Sequence, residues 1–286
     1  MKHSIAVVGS VNMDVVFDVG TLPKPGETVL GSSVRSVPGG KGGNQAIAAA
    51  RAGAQVQIIA AVGQDANGAH LREHLADNGI GLDGLITLPG PSGTAAIVVD
   101  SHGENMIVVA PGANGHLTLD SQPLRDIVAD CDLLLLQLEI PLSTALVAAR
   151  QARASGATVM VNASPAGGDA QLLAELAALT DVVIVNESEV QHWHWPVAHM
   201  VITRGARGAT YTGDDQEFEV PAPAVEALDT TGAGDVFAGV LAAGWSADRH
   251  HALRRACAAG ALATLVPGAG DCAPYDETIE DALARD

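Results

Sequence analysis

Short runs of β-branched and other apolar residues alternate along this chain with alanine-rich stretches of helical period. SIAVVGS near the N-terminus reads as a buried strand, and NQAIAAARAGA as a helix ending at Gly53. QVQIIAAVG predicts the next strand, and GAHLREHLADNGI a helix stopped by Asn78-Gly79. Further along, CDLLLLQLE, ATVMVNAS, DVVIVNE and AHMVITRG predict four more strands, with STALVAARQARASG and DAQLLAELAALT as helices between them. Continuous apolar strands separated by amphipathic helices predict a mostly parallel sheet covered on both faces, an α/β/α sandwich. Ligands of such sheets bind beyond the carboxyl ends of the strands.

Two stretches break the rhythm. Between residues 14 and 38, alternating segments surround the turn LPKPGET, and between 94 and 110 two strands flank a polar turn, Ser101 to Asn105. Neither stretch has helical period, so both are expected to form an antiparallel β flap, a lid on one domain spanning residues 1–286. There is no repeat, low-complexity tract or long linker.

Composition narrows the classes. Hydrophobic residues make up 48% and charged residues 17% of 286 residues, a globular balance. A net charge of -18 argues against nucleic acid backbones and acidic membranes as partners. Three cysteines, Cys131, Cys257 and Cys272, show no CxxC spacing, so free thiols in a reducing, cytoplasmic compartment are expected. The first apolar run is too short for a signal peptide, and none approaches the ~18 residues of a membrane span.

Three motifs bear chemistry. In DTTGAGDVF the small residues before Asp235 permit a tight turn whose N–H groups can hold an anion. Asp235 there reads either as a helix cap or as a base taking a proton from a hydroxyl. PGGKGGNQA lacks the spacer and the Ser or Thr of a P-loop. Its glycines are expected to let backbone approach a ligand just before a helix, with Asn44 in the first turn able to reach a sugar hydroxyl; a hinge with a solvated Lys41 is the alternative. In GSVNMDVV, Asn12 and Asp14 follow the first strand and, spaced by two, face one side, suiting vicinal hydroxyls or an Asx turn. No GxGxxG follows IAVVGS, which removes support for a dinucleotide-dependent dehydrogenase.

Taken in order, NMD, GGKGGNQA, QLE, NESE and DTTGAGD resemble the ribokinase family, the phosphofructokinase-B type of carbohydrate kinases, across nearly the whole chain. The resemblance implies a ribokinase-like three-layer α/β/α sandwich with a small β-sheet lid. It implies transfer of the γ-phosphoryl of ATP, with Mg²⁺, to a primary hydroxyl, D-ribose to ribose 5-phosphate being the expected reaction. Asp235 would be the base, and the amides of Gly232, Ala233 and Gly234 the anion hole. Asn12, Asp14, Gly40, Asn44 and Glu139, with Lys41 close by, would hold the sugar. Asn186, Thr203 and Gly205 would contact the nucleotide, Glu189 would act through Mg²⁺-bound water, and Cys257 would lie near the adenine. Asp229, Thr231, Thr264, Pro267 and Ala269 would hold a monovalent cation, K⁺. A homodimer through the lid is expected from the same analogy. Other sugars or nucleosides (2-deoxyribose, fructose-like sugars, adenosine, pseudouridine) are the alternative substrates, and a silent sugar sensor the alternative class; 3% aromatic residues favour a bare sugar.

One departure from the family pattern falls between Asn186 and Thr203, where a helix and its loop are missing. Within this segment His192 and His194 stand close in sequence without acidic or thiol partners, which favours an incidental pair over a metal site.

Overall fold

The computed structural model describes residues 3–284. Its central layer is a sheet of nine strands: β1 (Ser4–Val8), β4 (Gln55–Gly63), β5 (Gly81–Leu88), β8 (Leu133–Gln137), β9 (Thr158–Asn162), β10 (Val182–Asn186), β11 (His199–Thr203), β12 (Ala209–Gly213) and β13 (Gln216–Val220). Their spatial order is β13-β12-β11-β10-β9-β8-β1-β4-β5. Every pairing from β5 to β11 is parallel, and β12 and β13 complete the edge as an antiparallel hairpin.

The apolar runs are continuous because both faces of the sheet are covered. Ile5 and Val7 of β1 enter one core, with Ile58, Leu133, Leu135 and Ile184. Their alternates Ala6 and Val8 enter the other, with Ile59, Leu134, Leu136 and Val185. Helices α1 (Lys41–Arg51), α2 (Ala66–Asp77), α6 (Ala233–Gly244), α7 (Arg249–Ala263) and α8 (Asp276–Leu283) cover the first face. Helices α3 (Gln122–Ala129), α4 (Leu142–Ser155) and α5 (Ala170–Ala177) cover the second. The sequence reading passed over β5, the β12–β13 hairpin, α3, α7 and α8. In α7 alanines and charges share the helix without a clean apolar stripe, and β12 and β13 are too short and polar for their period to stand out.

α1 and α6 set the geometry that matters most. A Cβ on Gly239 would lie 2.4 Å from the Gln45 carbonyl and 2.7 Å from the Ala48 Cβ, so only glycine admits this close approach. The alanine-rich face of α1 therefore lies directly on α6, which places Asn44 and Gln45 beside the first turn of that helix.

Four strands form a second, smaller sheet in the order β3-β2-β6-β7: β2 (Asn12–Val19), β3 (Gly31–Gly39), β6 (Gly93–Val99) and β7 (Asn105–Ala110). The expected flap was wholly antiparallel; instead β2 pairs with β6 in parallel. Both strands leave the carboxyl side of the main sheet, β2 directly after β1 and β6 directly after β5, so they run outward side by side. Val16, Ala95 and Ile97 fill the inner face. Outward-facing side chains include Val34, 61% exposed, and Val108, 69% exposed.

Between β10 and β11 no α-helix crosses over. A single 3₁₀ turn, Val190–His192, is followed by Trp193, which is buried and meets Trp195 edge-to-face at 5.5 Å between ring centroids. The two indoles cover the sheet where the missing helix would lie. No helix among the described residues is long and apolar enough to cross a membrane.

Candidate active site

The N-terminus of α6 forms the floor of the site. Gly232, at φ +80°, turns the chain into the helix, and a Cβ there would sit 2.8 Å from the Ala269 Cα. The Val236 N–H donates to the Gly232 carbonyl at 2.9 Å, closing the first turn. The N–H groups of Gly234 and Asp235 meet no acceptor among the described residues, whereas that of Ala233 donates to the Thr230 carbonyl at 3.3 Å. Free amides and the positive end of the helix dipole make this turn attractive to an anion.

Asp235 lies in that first turn and is 8% exposed. Asn44 Nδ2 donates to its Oδ2 at 3.1 Å and Gln45 Nε2 to its Oδ1 at 2.9 Å. The carboxylate is thus not used as a cap for its own helix; it is gripped from the side by α1.

The GGKGG segment is not the alternative hinge, and its last two glycines lie within the helix rather than before it. Lys41 opens α1, so Gly42 and Gly43 are helical. A Cβ on Gly42 would lie 2.7 Å from Gly9 and Ser10 backbone atoms, and one on Gly40, at φ +88°, 2.7 Å from the Asn12 amide nitrogen. These two glycines let α1 start against the β1–β2 junction, which draws Lys41, Asn12 and Asp14 together. Gly39 is similarly constrained, since its Cβ would overlap the Asp14 carboxyl.

Asn12 accepts at Oδ1 from Asn114 Nδ2 at 2.8 Å, leaving its own amide nitrogen for other partners. Asn114 also bridges the Val11 backbone, accepting at 3.0 Å and donating at 3.1 Å. Glu139, just beyond β8, accepts from Ser10 Oγ at 2.5 Å and from the Lys41 N–H at 3.3 Å. Burial, and then the negative charges of Glu139 and Asp235, raise the Asp14 carboxyl to about 7 against the opposing pull of Lys41. Asp235 foremost, with Glu139, Glu189 and Asp14, raises the Lys41 ammonium despite the cost of its burial. A charged lysine thus stands among four carboxylates.

Residues of this cluster line two clefts, Asp14 one and Lys41, Glu189 and Asp235 the other. The smaller, about 130 Å³, is lined by Lys41, Asn186, Glu189, Thr203, Gly234 and Asp235 among others. Asn186 and Glu189 form a reciprocal turn. The Asn186 Oδ1 accepts from the N–H groups of Ser188 and Glu189 at 2.9 and 2.8 Å, and Glu189 Oε2 accepts from the Asn186 N–H at 3.0 Å. Gly205, at φ +57°, begins a 3₁₀ turn just after β11. Cys257 is not brought to this cleft: its side chain is buried under Val220, with Sγ 3.7 Å from the Val220 carbonyl, and burial raises the thiol to about 12.

The larger cleft, about 460 Å³, runs between Asp14, Val16 and Ile97 of the small sheet and the loops holding Asp229, Thr231 and Ala269. Asp229 accepts from the N–H groups of Thr231 and Gly268, each at 2.9 Å. Burial pushes its carboxyl up, but these hydrogen bonds outweigh burial and hold it below the usual value. An ionised carboxylate with lone pairs left over, beside Pro267 and Ala269, fits a monovalent cation. The Thr264 carbonyl takes the N–H groups of Leu228 and Asp229 at 2.8 and 3.1 Å, which occupy its lone pairs, while its hydroxyl donates to the Ala261 carbonyl. In the same loop Arg51 donates to the Asp271 and Ala273 carbonyls at 3.0 and 2.7 Å, reaches the Asp271 carboxylate at 3.5 Å, and lies over the Tyr275 ring. At His192 and His194, as elsewhere among the described residues, no group of three or more His, Cys, Asp or Glu side chains is placed to hold a metal.

Gln45, Gln137, Ser10 and Asn114 were not singled out from sequence. Gln137 alone carried a signal, a polar residue closing the apolar run LLLL.

Among known proteins, this three-layer sandwich with a small second sheet, and a buried acid at a helix N-terminus, is matched by carbohydrate kinases. Residues 2–276 match the profile of the pfkB family carbohydrate kinases, and the chain belongs to that family. It is 35% identical to the ribokinase of Bacillus subtilis, over 99% of this chain and 100% of that protein. It is 34% identical to the ribokinase of Haemophilus influenzae, over 98% of both. The structure of Arabidopsis thaliana ribokinase complexed with ribose and ATP matches with a TM-score of 0.90 at 28% identity, covering 99% of each chain. The fold is the ribokinase fold, as expected.

Proposed function

We propose that the protein phosphorylates D-ribose with ATP to give ribose 5-phosphate, with Asp235 as general base. The observation that carries this reading is the buried Asp235 carboxylate, held by two amides beside the unpaired N–H groups of Gly234 and itself, at the wall of the smaller cleft. Asp235 takes the proton of the primary hydroxyl as its oxygen attacks the γ-phosphorus, and the bond to the leaving ADP breaks. The α6 amides receive the charge of the transferring phosphoryl group.

The nucleotide phosphates lie in the smaller cleft, along Asn186, Thr203 and Gly205, with Lys41 near the transferring group. Glu189 would hold Mg²⁺, which would neutralise charge on the phosphates. Asn12, Asp14, Asn44 and Glu139 hold the sugar hydroxyls. Asp229, Thr231, Pro267 and Ala269 would hold K⁺, whose charge would lie beside the turn at Gly232. The small sheet acts as the lid of a single domain, its inner Val16 and Ile97 excluding water from the sugar. Its exposed outer face suits a second copy of the chain.

The test is ADP release on a panel of sugars and nucleosides with ATP and Mg²⁺, with and without K⁺. D-ribose is expected to be the fastest substrate and K⁺ to accelerate it. Turnover of nucleosides with D-ribose untouched would overturn the ribose assignment. Asp235→Asn is expected to lower kcat by about 10²–10⁴-fold, and an unchanged rate removes the proposed base.

A further inference from the structure

The Asp235 carboxylate is not the end of its hydrogen-bond chain. Gln137 Nε2 donates to Gln45 Oε1 at 2.7 Å, and Gln45 Nε2 donates to Asp235 Oδ1 at 2.9 Å. Both glutamines are fully buried. An ionised carboxylate only accepts, so Gln45 must turn its NH₂ toward Asp235 and its oxygen away. The donor that meets that oxygen is Gln137, and reversing either amide would set two oxygens face to face. The chain therefore runs in one direction, Gln137 to Gln45 to Asp235, while Asn44 holds the other carboxylate oxygen.

This arrangement is built at some cost to the core. Gln137 closes a strand whose four preceding residues are buried leucines, and its Oε1 has no partner. A Cβ on Gly9 would lie 1.9 Å from that oxygen, so a glycine at the end of β1 is needed for Gln137 to adopt this position. An apolar residue of the same length would fill the site without an orphaned acceptor, since unpaired buried polar groups destabilise. Stability of the sheet does not account for the pair.

Resting on the reading of Asp235 as the base, we propose that Gln45 and Gln137 are positioning residues that act in series to lock the plane of the Asp235 carboxylate toward the acceptor hydroxyl. α1 supplies one link and β8 the other, so the base is referenced to the central sheet as well as to its own helix.

The test compares the full-length enzyme with Gln45→Met, Gln137→Met and the double variant, reading kcat, the KM for sugar and for ATP, and Tm. Gln45→Met is expected to lower kcat by about 10- to 100-fold, the value of a hydrogen bond to a charged group, with both KM values within about threefold. Gln137→Met is expected to lower kcat by about three- to tenfold while Tm holds or rises, as loss of a neutral bond one step removed implies. The double variant is expected to be no slower than Gln45→Met, because links in series do not add. Wild-type kcat in Gln45→Met, or a double variant slowed by the product of the single effects, overturns the proposal. If Gln45→Met does not fold, Gln137→Met decides: wild-type kcat there overturns it. A wild-type enzyme silent toward every sugar overturns the reading of Asp235 instead, so the two failures are distinguishable.

Discussion

Asp14 shows how a binding residue can be held at a cost to the empty protein. Its carboxyl is raised to about 7, chiefly by burial. The folded chain therefore binds this proton more tightly than the unfolded chain, and the group's contribution to stability falls as pH rises from about 4 to about 7. Asp14→Asn is accordingly expected to raise the Tm of the ligand-free protein at pH 8 and to leave it nearly unchanged at pH 4, by calorimetry. A sugar hydroxyl donating to Asp14 favours the ionised form, so sugar binding near pH 7 is expected to release a proton, seen by titration in buffers of different ionisation enthalpy. At this scale residue types were legible, since Asn12, Asp14, Asn44 and Asp235 stand in short motifs. Their partners were not, because Gln45, Gln137 and Asn114 reach them from positions distant in sequence or on another element.

Among the elements, the crossover from β10 to β11 departs most from its neighbours. Trp193 and Trp195 replace a helix as the cover of the sheet, and Trp193 packs among Val183, Val185 and neighbouring apolar side chains. Trp193→Ala is expected to cost about 3–5 kcal/mol, measured by denaturant unfolding. The shortened spacing was visible in the sequence, but the filling of the gap by indoles was not, because periodicity speaks only of regular elements. The glycines of GGKGG teach the same lesson in reverse. They suggested a close backbone approach to a ligand, or else a hinge, yet Gly40 and Gly42 are fixed by the backbone of the β1–β2 junction. Glycine marks a close approach without naming what approaches.

For the whole molecule, the small sheet leaves Val34, Met106 and Val108 exposed on one outer face. Such a patch is unusual on a monomer, and the proposed homodimer buries it. A dimer is expected by light scattering, and Val108→Asp is expected to yield a monomer; a monomeric wild type would refute the interface.

The amino-acid sequence by itself determined the layered architecture, through apolar runs of strand length alternating with helical stretches, and the local motifs that carry the chemistry. Both are local properties, written in neighbouring side chains. Only the tertiary structure decided that β2 runs parallel to β6, that the Cys257 thiol is buried against the Val220 carbonyl, and that Asp235 is gripped by α1 rather than capping α6. Those outcomes depend on which distant backbones can touch, here on Gly9, Gly42 and Gly239, where the absence of a side chain admits a neighbour that spacing along the chain does not reveal.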